Sequence, residues 1–291
     1  MAVGGLGDAL LLTPFIRHFH QSRSYSRIVC VCSPQAVQLF DQNPLIDQIV
    51  CEGAGPCLWA LSSPNRDIFS PFHTARMEIN QTGDLQIVVE RRLKPAMGHG
   101  HVLEQIARST GITPKSWKLD LFTSSADRAA ADQILAEAGA GTRVLIGFES
   151  KLPVKNLPVQ LRRAVRRLLR QAGLVLLEAH TRKLRMGRRT IKLPGPRIMA
   201  EVARRCQAII TVDSFLAHLS QTVATPAVVL FGSSHPDVYG YPTNCNLRPS
   251  ACPPCAGTAR RKTCPAPVCM SAFSAGQIAA SALKIIRRGG A

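Results

Sequence analysis

The sequence predicts an α/β protein with parallel sheets, arranged as two similar halves. Three observations carry this. Short β-branched apolar runs alternate with segments of helical spacing. Several helical segments stop at glycine. A polar stretch with Pro114, Gly139 and Gly141 interrupts the alternation between Thr113 and Thr142.

In the first half, Arg27 to Cys32 (RIVCVC) reads as a buried strand and Pro34 to Phe40 as a short helix. Ile49 to Cys51 and Leu85 to Glu90 read as further strands, and His101 to Thr110 as a helix stopped by Gly111. The helix Ala126 to Ala138 lies in the boundary stretch, and the second half opens with the strand Val144 to Phe148. It continues with helix Val159 to Gln171, strand Leu174 to Leu177, helix Arg197 to Arg205, strand Ala208 to Val212, helix Ser214 to Val223 and strand Ala227 to Phe231. A proline-rich loop runs from Gly232 to Met270, and the helix Ser274 to Arg288 closes the chain. The expected domains are residues 1–140, 141–273 and a terminal helix at 274–291.

Composition narrows the function classes. A chain of 291 residues, 46% hydrophobic and 19% charged, has enough apolar sequence for a sizeable core and is not a disordered segment. No apolar run reaches the ~20 residues of a membrane span. Ala9 to Ile16 is broken by Thr13 and Pro14 and has no basic segment before it, so it does not read as a signal peptide. A cytoplasmic protein is expected. The 36 Lys+Arg against 18 Asp+Glu give +18, which favours anionic partners. An aromatic content of 5% argues against base stacking as a binding mode.

Residues 4 to 8 read Gly-Gly-Leu-Gly-Asp and lead into an apolar segment. Such a turn lets backbone N–H groups approach a ligand. Asp8 falls in the first helical turn, where it is either a capping residue or a functional carboxylate. In the second half, Asp213-Ser214 ends a buried strand and starts a helix, with His218 one turn on. A helix N-terminus there suits phosphate; the alternative makes Asp213 or Ser214 a cap and His218 a packing residue. Lys155 and Glu178 both lie shortly after strand starts, and on residue type alone Lys155 reads as a surface lysine.

The opening GGLGDALLLTPFIRHF resembles that of the family 9 glycosyltransferases, the ADP-heptose:lipopolysaccharide heptosyltransferases. The segment AIITVDSFLAHLSQTVATPAVVLFG is similar to that family's Asp-Ser/Thr-Gly-x-x-His motif and the Thr-Pro-x-x-x-Leu-Phe-Gly after it, with Phe215 in place of the glycine. The resemblance implies a GT-B architecture, two Rossmann-like domains with a cleft between them and the last helix crossing back to the first. It implies an inverting transfer of a sugar, heptose, from ADP-heptose to a lipopolysaccharide core or another glycan or protein acceptor. Asp8 would be the general base on the acceptor hydroxyl. Lys155, Glu178, Asp213, Ser214 and His218 would bind the donor, with no catalytic metal. The alternative is a non-catalytic GT-B-fold protein that binds nucleotides or nucleic acid.

Cys252, Cys255, Cys264 and Cys269 form C-x2-C-x8-C-x4-C. Four thiolates so spaced suit a structural Zn or Fe, with reduced thiols or disulfides as alternatives. Arg162, Arg163, Arg166, Arg167 and Arg170 recur at helical spacing, and Arg182, Lys183, Arg185, Arg188 and Arg189 follow. They read either as a solvated face or as a surface for a phosphorylated acceptor or the cytoplasmic membrane face. Nucleic acid is the less favoured partner, since no recognition module is present.

Overall fold

A computed structural model describes residues 5–22, 27–32, 34–51, 74–79, 85–90, 100–180, 182–258 and 260–289. The expected first strand, Met1 to Val3, lies outside the described residues. The chain divides into two compact units, Met1–Phe122 and Thr123–Ala291.

The first unit begins with α1 (Leu6–Ser22), followed by β1 (Ile28–Cys32), α2 (Pro34–Phe40), β2 (Gln48–Cys51), β3 (Thr74–Ile79), β4 (Leu85–Glu90) and α3 (Val102–Thr110). Its sheet has the order β2-β1-β4-β3, with β1 parallel to both β2 and β4 and β3 antiparallel to β4. Leu10, Ile16, Ile28, Cys30, Leu39 and Phe40 are buried in it.

Pro14 sits inside α1 and cannot donate to the carbonyl of Leu10. The Thr13 hydroxyl fills that vacancy, donating to Leu10 O at 2.7 Å. Thr13 Oγ1 also accepts from the Asp120 N–H at 2.9 Å, and Arg17 Nε donates to Asp120 Oδ2 at 2.7 Å. The Thr-Pro-x-x-Arg stretch therefore fastens the 118–120 segment onto α1.

The second unit holds α4 (Ser125–Ala138), β5 (Arg143–Gly147), α5 (Val159–Gln171), β6 (Val175–Ala179), β7 (Lys183–Met186), β8 (Arg189–Lys192) and α6 (Pro196–Arg204). It continues through β9 (Ala208–Val212), α7 (Phe215–Val223), β10 (Ala227–Leu230), α8 (Pro236–Tyr239), β11 (Cys245–Leu247), α9 (Arg260–Thr263), α10 (Val268–Ser271) and α11 (Ala275–Gly289). The sheet order is β11-β10-β9-β5-β6-β7-β8. It is parallel from β11 to β6 and ends in the antiparallel β7–β8 hairpin.

Along β5, residues alternate between the faces. Val144 and Ile146 join Val165 and Leu169 of α5 and Ile278, Ala279 and Ala282 of α11 in one core layer. The last helix thus packs on α5, β9 and β10 within the second unit. The unit boundary falls ahead of the division after residue 140 read from the sequence, because α4 packs on α6. Arg197 Nε meets Asp127 Oδ2 at 3.0 Å and Thr123 Oγ1 donates to Glu201 Oε1 at 2.6 Å. Among the described residues no helix is long and apolar enough to cross a membrane.

Candidate active site

Parallel sheets present ligands at the carboxyl ends of their strands. In the second unit β5, β9 and β10 end side by side, and three loops follow. β9 runs into Asp213-Ser214 and α7, β10 into Phe231-Gly232-Ser233-Ser234, and β5 into the segment that carries Lys155.

These loops converge on Asp213, which is 4% exposed. Lys155 Nζ donates to the Asp213 carboxylate and, at 3.3 Å, to its carbonyl. The Ser234 hydroxyl donates to the same carboxylate oxygen. Burial by itself pushes the Asp213 carboxyl up. The Lys155 charge, the hydrogen bonds from Lys155 and Ser234, and the field of His218 outweigh it and hold the group below the usual carboxylate range. Asp213 is therefore an anion at neutral pH, and Lys155 is fixed over it, 5.9 Å from the centre of the Tyr239 ring.

Ser214 occupies the N-cap position of α7, yet its side chain makes no capping bond. Its hydroxyl lies 3.1 Å from Thr211 Oγ1 instead. The first-turn amides of α7 consequently lack the side-chain oxygen that caps most helices. A positively polarised helix end beside a lysine is suited to an anion. Gly147 permits the close packing beneath it: a Cβ there would stand 2.4 Å from Leu216 Cδ1. Gly232 is equally constrained, as its Cβ would stand 2.4 Å from Met270 Sδ.

His218 is buried, with Nδ1 2.7 Å from the Tyr241 hydroxyl. Burial, then the Asp213 charge, raises the Tyr241 phenol, so it stays protonated. The structure thus brings Lys155, Asp213 and Ser214 to neighbouring strand ends and places His218 behind them, against Tyr241.

Glu178 is placed differently. It is 2% exposed on β6 and faces α5, paired with Arg166 Nε at 2.7 Å and with Arg170 at 2.8 Å. It is not part of the Lys155–Asp213 group. Asp8 lies in the first turn of α1, in the first unit, where its Oδ2 accepts the Gly5 N–H at 2.7 Å. That bond is the reciprocal half of a capping box.

Ser234 and Tyr241 were not singled out from sequence. Ser234 lies in the loop after β10, beyond Phe231, Gly232 and Ser233, and so lacks the immediate strand-end placement of Asp213. Tyr241 lies in the proline-rich loop, where no periodicity marks it.

The four cysteines of the terminal loop are all free thiols, and among the described residues no group of three or more His, Cys, Asp or Glu side chains is arranged to hold a metal. They are nevertheless neighbours. Burial, then the charges of Cys252 and Cys264, raises the Cys255 thiol. Burial, then Cys252, pushes the Cys269 thiol up to about 11. Thiolates are ligands that suit Zn or Fe in chemical type.

The strand-end carboxylate, lysine and uncapped helix, carried on a parallel α/β sheet, form an arrangement suited to a phosphorylated ligand. Residues 91–266, more than half of the chain, match the family model for glycosyltransferase family 9 (heptosyltransferase). The chain belongs to that family and is a glycosyltransferase.

Solved structures agree on the fold, which is of the GT-B class. A family 9 glycosyl transferase from Veillonella parvula is similar over 98% of this chain and 95% of its own, with a TM-score of 0.70 at 17% identity. ADP-heptose lps heptosyltransferase II of E. coli is similar over 100% of this chain and 98% of its own, with a TM-score of 0.65 at 13% identity. The iron-containing dodecameric glycosyltransferase TibC from enterotoxigenic E. coli covers 98% of this chain with 74% of its own, at 16% identity and a TM-score of 0.63. Among curated proteins none matches the chain.

Proposed function

We propose that this glycosyltransferase moves a heptose from ADP-heptose to a hydroxyl of a lipopolysaccharide core or related glycan, with inversion at the anomeric carbon. The observation that carries the reading is the Lys155–Asp213 pair beside the uncapped start of α7. The solved relatives include E. coli heptosyltransferase WaaC with ADP and TibC in complex with ADP-D-beta-D-heptose, which supports the choice of donor.

An ammonium has three N–H donors. Lys155 gives two to Asp213, and the third serves a phosphoryl oxygen of the donor. The α7 amides serve another. As the anomeric C–O bond breaks, negative charge builds on the departing diphosphate, and these donors stabilise it without having to reorganise. The acceptor oxygen forms the new bond on the opposite face of the sugar, and its proton passes to the Asp8 carboxylate. Asp213 acts through Lys155 by holding its ammonium in place.

A structural metal at Cys252, Cys255, Cys264 and Cys269 is part of the same proposal. When bound, it would cross-link the loop that follows β11 to α10 and take no part in transfer. Cytoplasmic residence is proposed along with it.

Titration of ADP-heptose into the wild-type protein and into Lys155→Ala tests the donor site. The reading expects binding to the wild type and at least tenfold weaker binding to the variant. Equal affinities would remove Lys155 and the α7 start from the donor site.

A further inference from the structure

The arginines of α5 do not simply face solvent. Arg163, Arg166, Arg167 and Arg170, with Gln171, form one wall of a concavity, and Arg185 of β7 forms the other. Its volume is about 440 Å³, which lies in the range of small-ligand sites.

The sheet register explains how the walls meet. Glu178 on β6 is directly opposite Arg185 on β7, so both side chains stand on the face that α5 covers. Lys183 and Arg185 are exposed on that side of β7, while Leu184 and Met186 are buried on the other face.

Its charge is one-sided. Five guanidinium groups line it, and among the described residues no carboxylate does. Glu178 fixes Arg166 and Arg170 in position. Arg163 and Arg167 have no carboxylate partner among the described residues, and Arg185 Nε donates to the Gly187 carbonyl at 3.0 Å. Like charges one helical turn apart repel, so Arg163/Arg167 work against α5 unless an anion bridges them, as Glu178 bridges Arg166 and Arg170. Each guanidinium has five N–H donors in a planar fork, and a fork binds phosphate oxygens in pairs. Two arginines held by a buried carboxylate are also pre-ordered, which lowers the entropy lost when a ligand binds.

We propose that this concavity is a binding site for a compact anion with two or more phosphate groups, separate from the donor site at Lys155 and independent of that assignment. A phosphorylated lipid headgroup and a soluble phosphorylated sugar both offer this chemistry.

The test uses the full chain and inorganic pyrophosphate at constant ionic strength, read by calorimetry. Three forms are compared: wild type, Arg163→Ala/Arg167→Ala and Lys155→Ala. Both arginines are exposed, so the double variant keeps its fold, which its melting temperature checks. The proposal expects pyrophosphate affinity to fall at least tenfold in the double arginine variant and to persist in Lys155→Ala. Arg163→Lys/Arg167→Lys should recover only part of the loss, since it restores charge without the fork. Flotation with phosphatidylcholine vesicles doped with phosphatidylinositol bisphosphate or with phosphatidylserine at equal charge identifies the source. Retention on the bisphosphate lipid alone, displaced by pyrophosphate, supports a headgroup; pyrophosphate binding with no vesicle retention supports a soluble ligand. Unchanged affinity in the double arginine variant, loss only in Lys155→Ala, or retention that follows total vesicle charge alone would overturn the site.

Discussion

Lys155 Nζ is bonded to both the carboxylate and the carbonyl of Asp213, so a lysine after β5 is anchored to the residue that closes β9. This double anchor turns a side chain that reads in sequence as a surface lysine into a fixed cation at the strand ends. Its side chain is 16% exposed and that of Asp213 5%.

Breaking this pair should be costly from either end. Asp213→Ala leaves a half-buried ammonium without its counter-charge, and buried pairs broken from one side lose about 3–5 kcal/mol. Denaturant unfolding of the variant should show that loss, together with weakened ADP-heptose binding. A variant as stable as the wild type would mean the pair is solvated.

Stability should fall in acid. Asp213 and Asp127 both have carboxyls held below their ordinary range. At Asp127 burial acts upward, but the Ser124 bonds and Arg197 outweigh it. A lowered folded pKa contributes stability that is complete above the unfolded value of about 4 and is lost as pH falls through the folded value. The melting temperature should be level near pH 6–7 and drop below about pH 4. Asp127→Asn should flatten that drop and cost about 1 kcal/mol at neutral pH by loss of the cap. An unaltered acid profile in the variant would exclude Asp127 as a source.

Gly147→Ala places a methyl 2.4 Å from Leu216 Cδ1 and should push on the first turn of α7. Overpacking of this kind costs about 1–3 kcal/mol. The variant should melt lower and bind ADP more weakly. Normal ADP affinity would show that the α7 start is not where the nucleotide docks.

Purified protein should carry stoichiometric zinc or iron, and a chelator should lower its melting temperature. Cys252→Ser/Cys255→Ser should lose the metal and leave donor binding intact. Metal-free protein that melts unchanged with chelator would remove the staple.

Much of this fold can be read from sequence because buried parallel strands are apolar throughout. VLIGF, AIITV and AVVLF announce themselves and place Asp213-Ser214 at a strand end. The β7–β8 hairpin was read as a basic run. Lys183 and Arg185 occupy the exposed positions of a period-2 pattern, and four residues are too few for Leu184 and Met186 to stand out; Gly187, with φ 58, was the available turn signal. The pairing of Glu178 with Arg166 and Arg170 comes from helix packing over the sheet, which residue spacing does not announce. The place of α4 likewise depends on contacts with α6 some 70 residues away in the chain, Arg197 to Asp127 among them.

The Thr13 and Arg17 contacts with Asp120 carry a similar lesson. Within the Thr-Pro-x-x-Arg stretch, these two side chains hold structure, and Asp8 is the residue of the opening motif to which the proposed mechanism gives the acceptor proton.

The most direct measurement is the release of ADP from ADP-heptose in the presence of a deacylated lipopolysaccharide core, compared between the wild type and Asp8→Ala. The account predicts acceptor-dependent turnover in the wild type, and in the variant a loss of about 10²–10⁴-fold with ADP-heptose affinity unchanged. Full turnover in Asp8→Ala would contradict it.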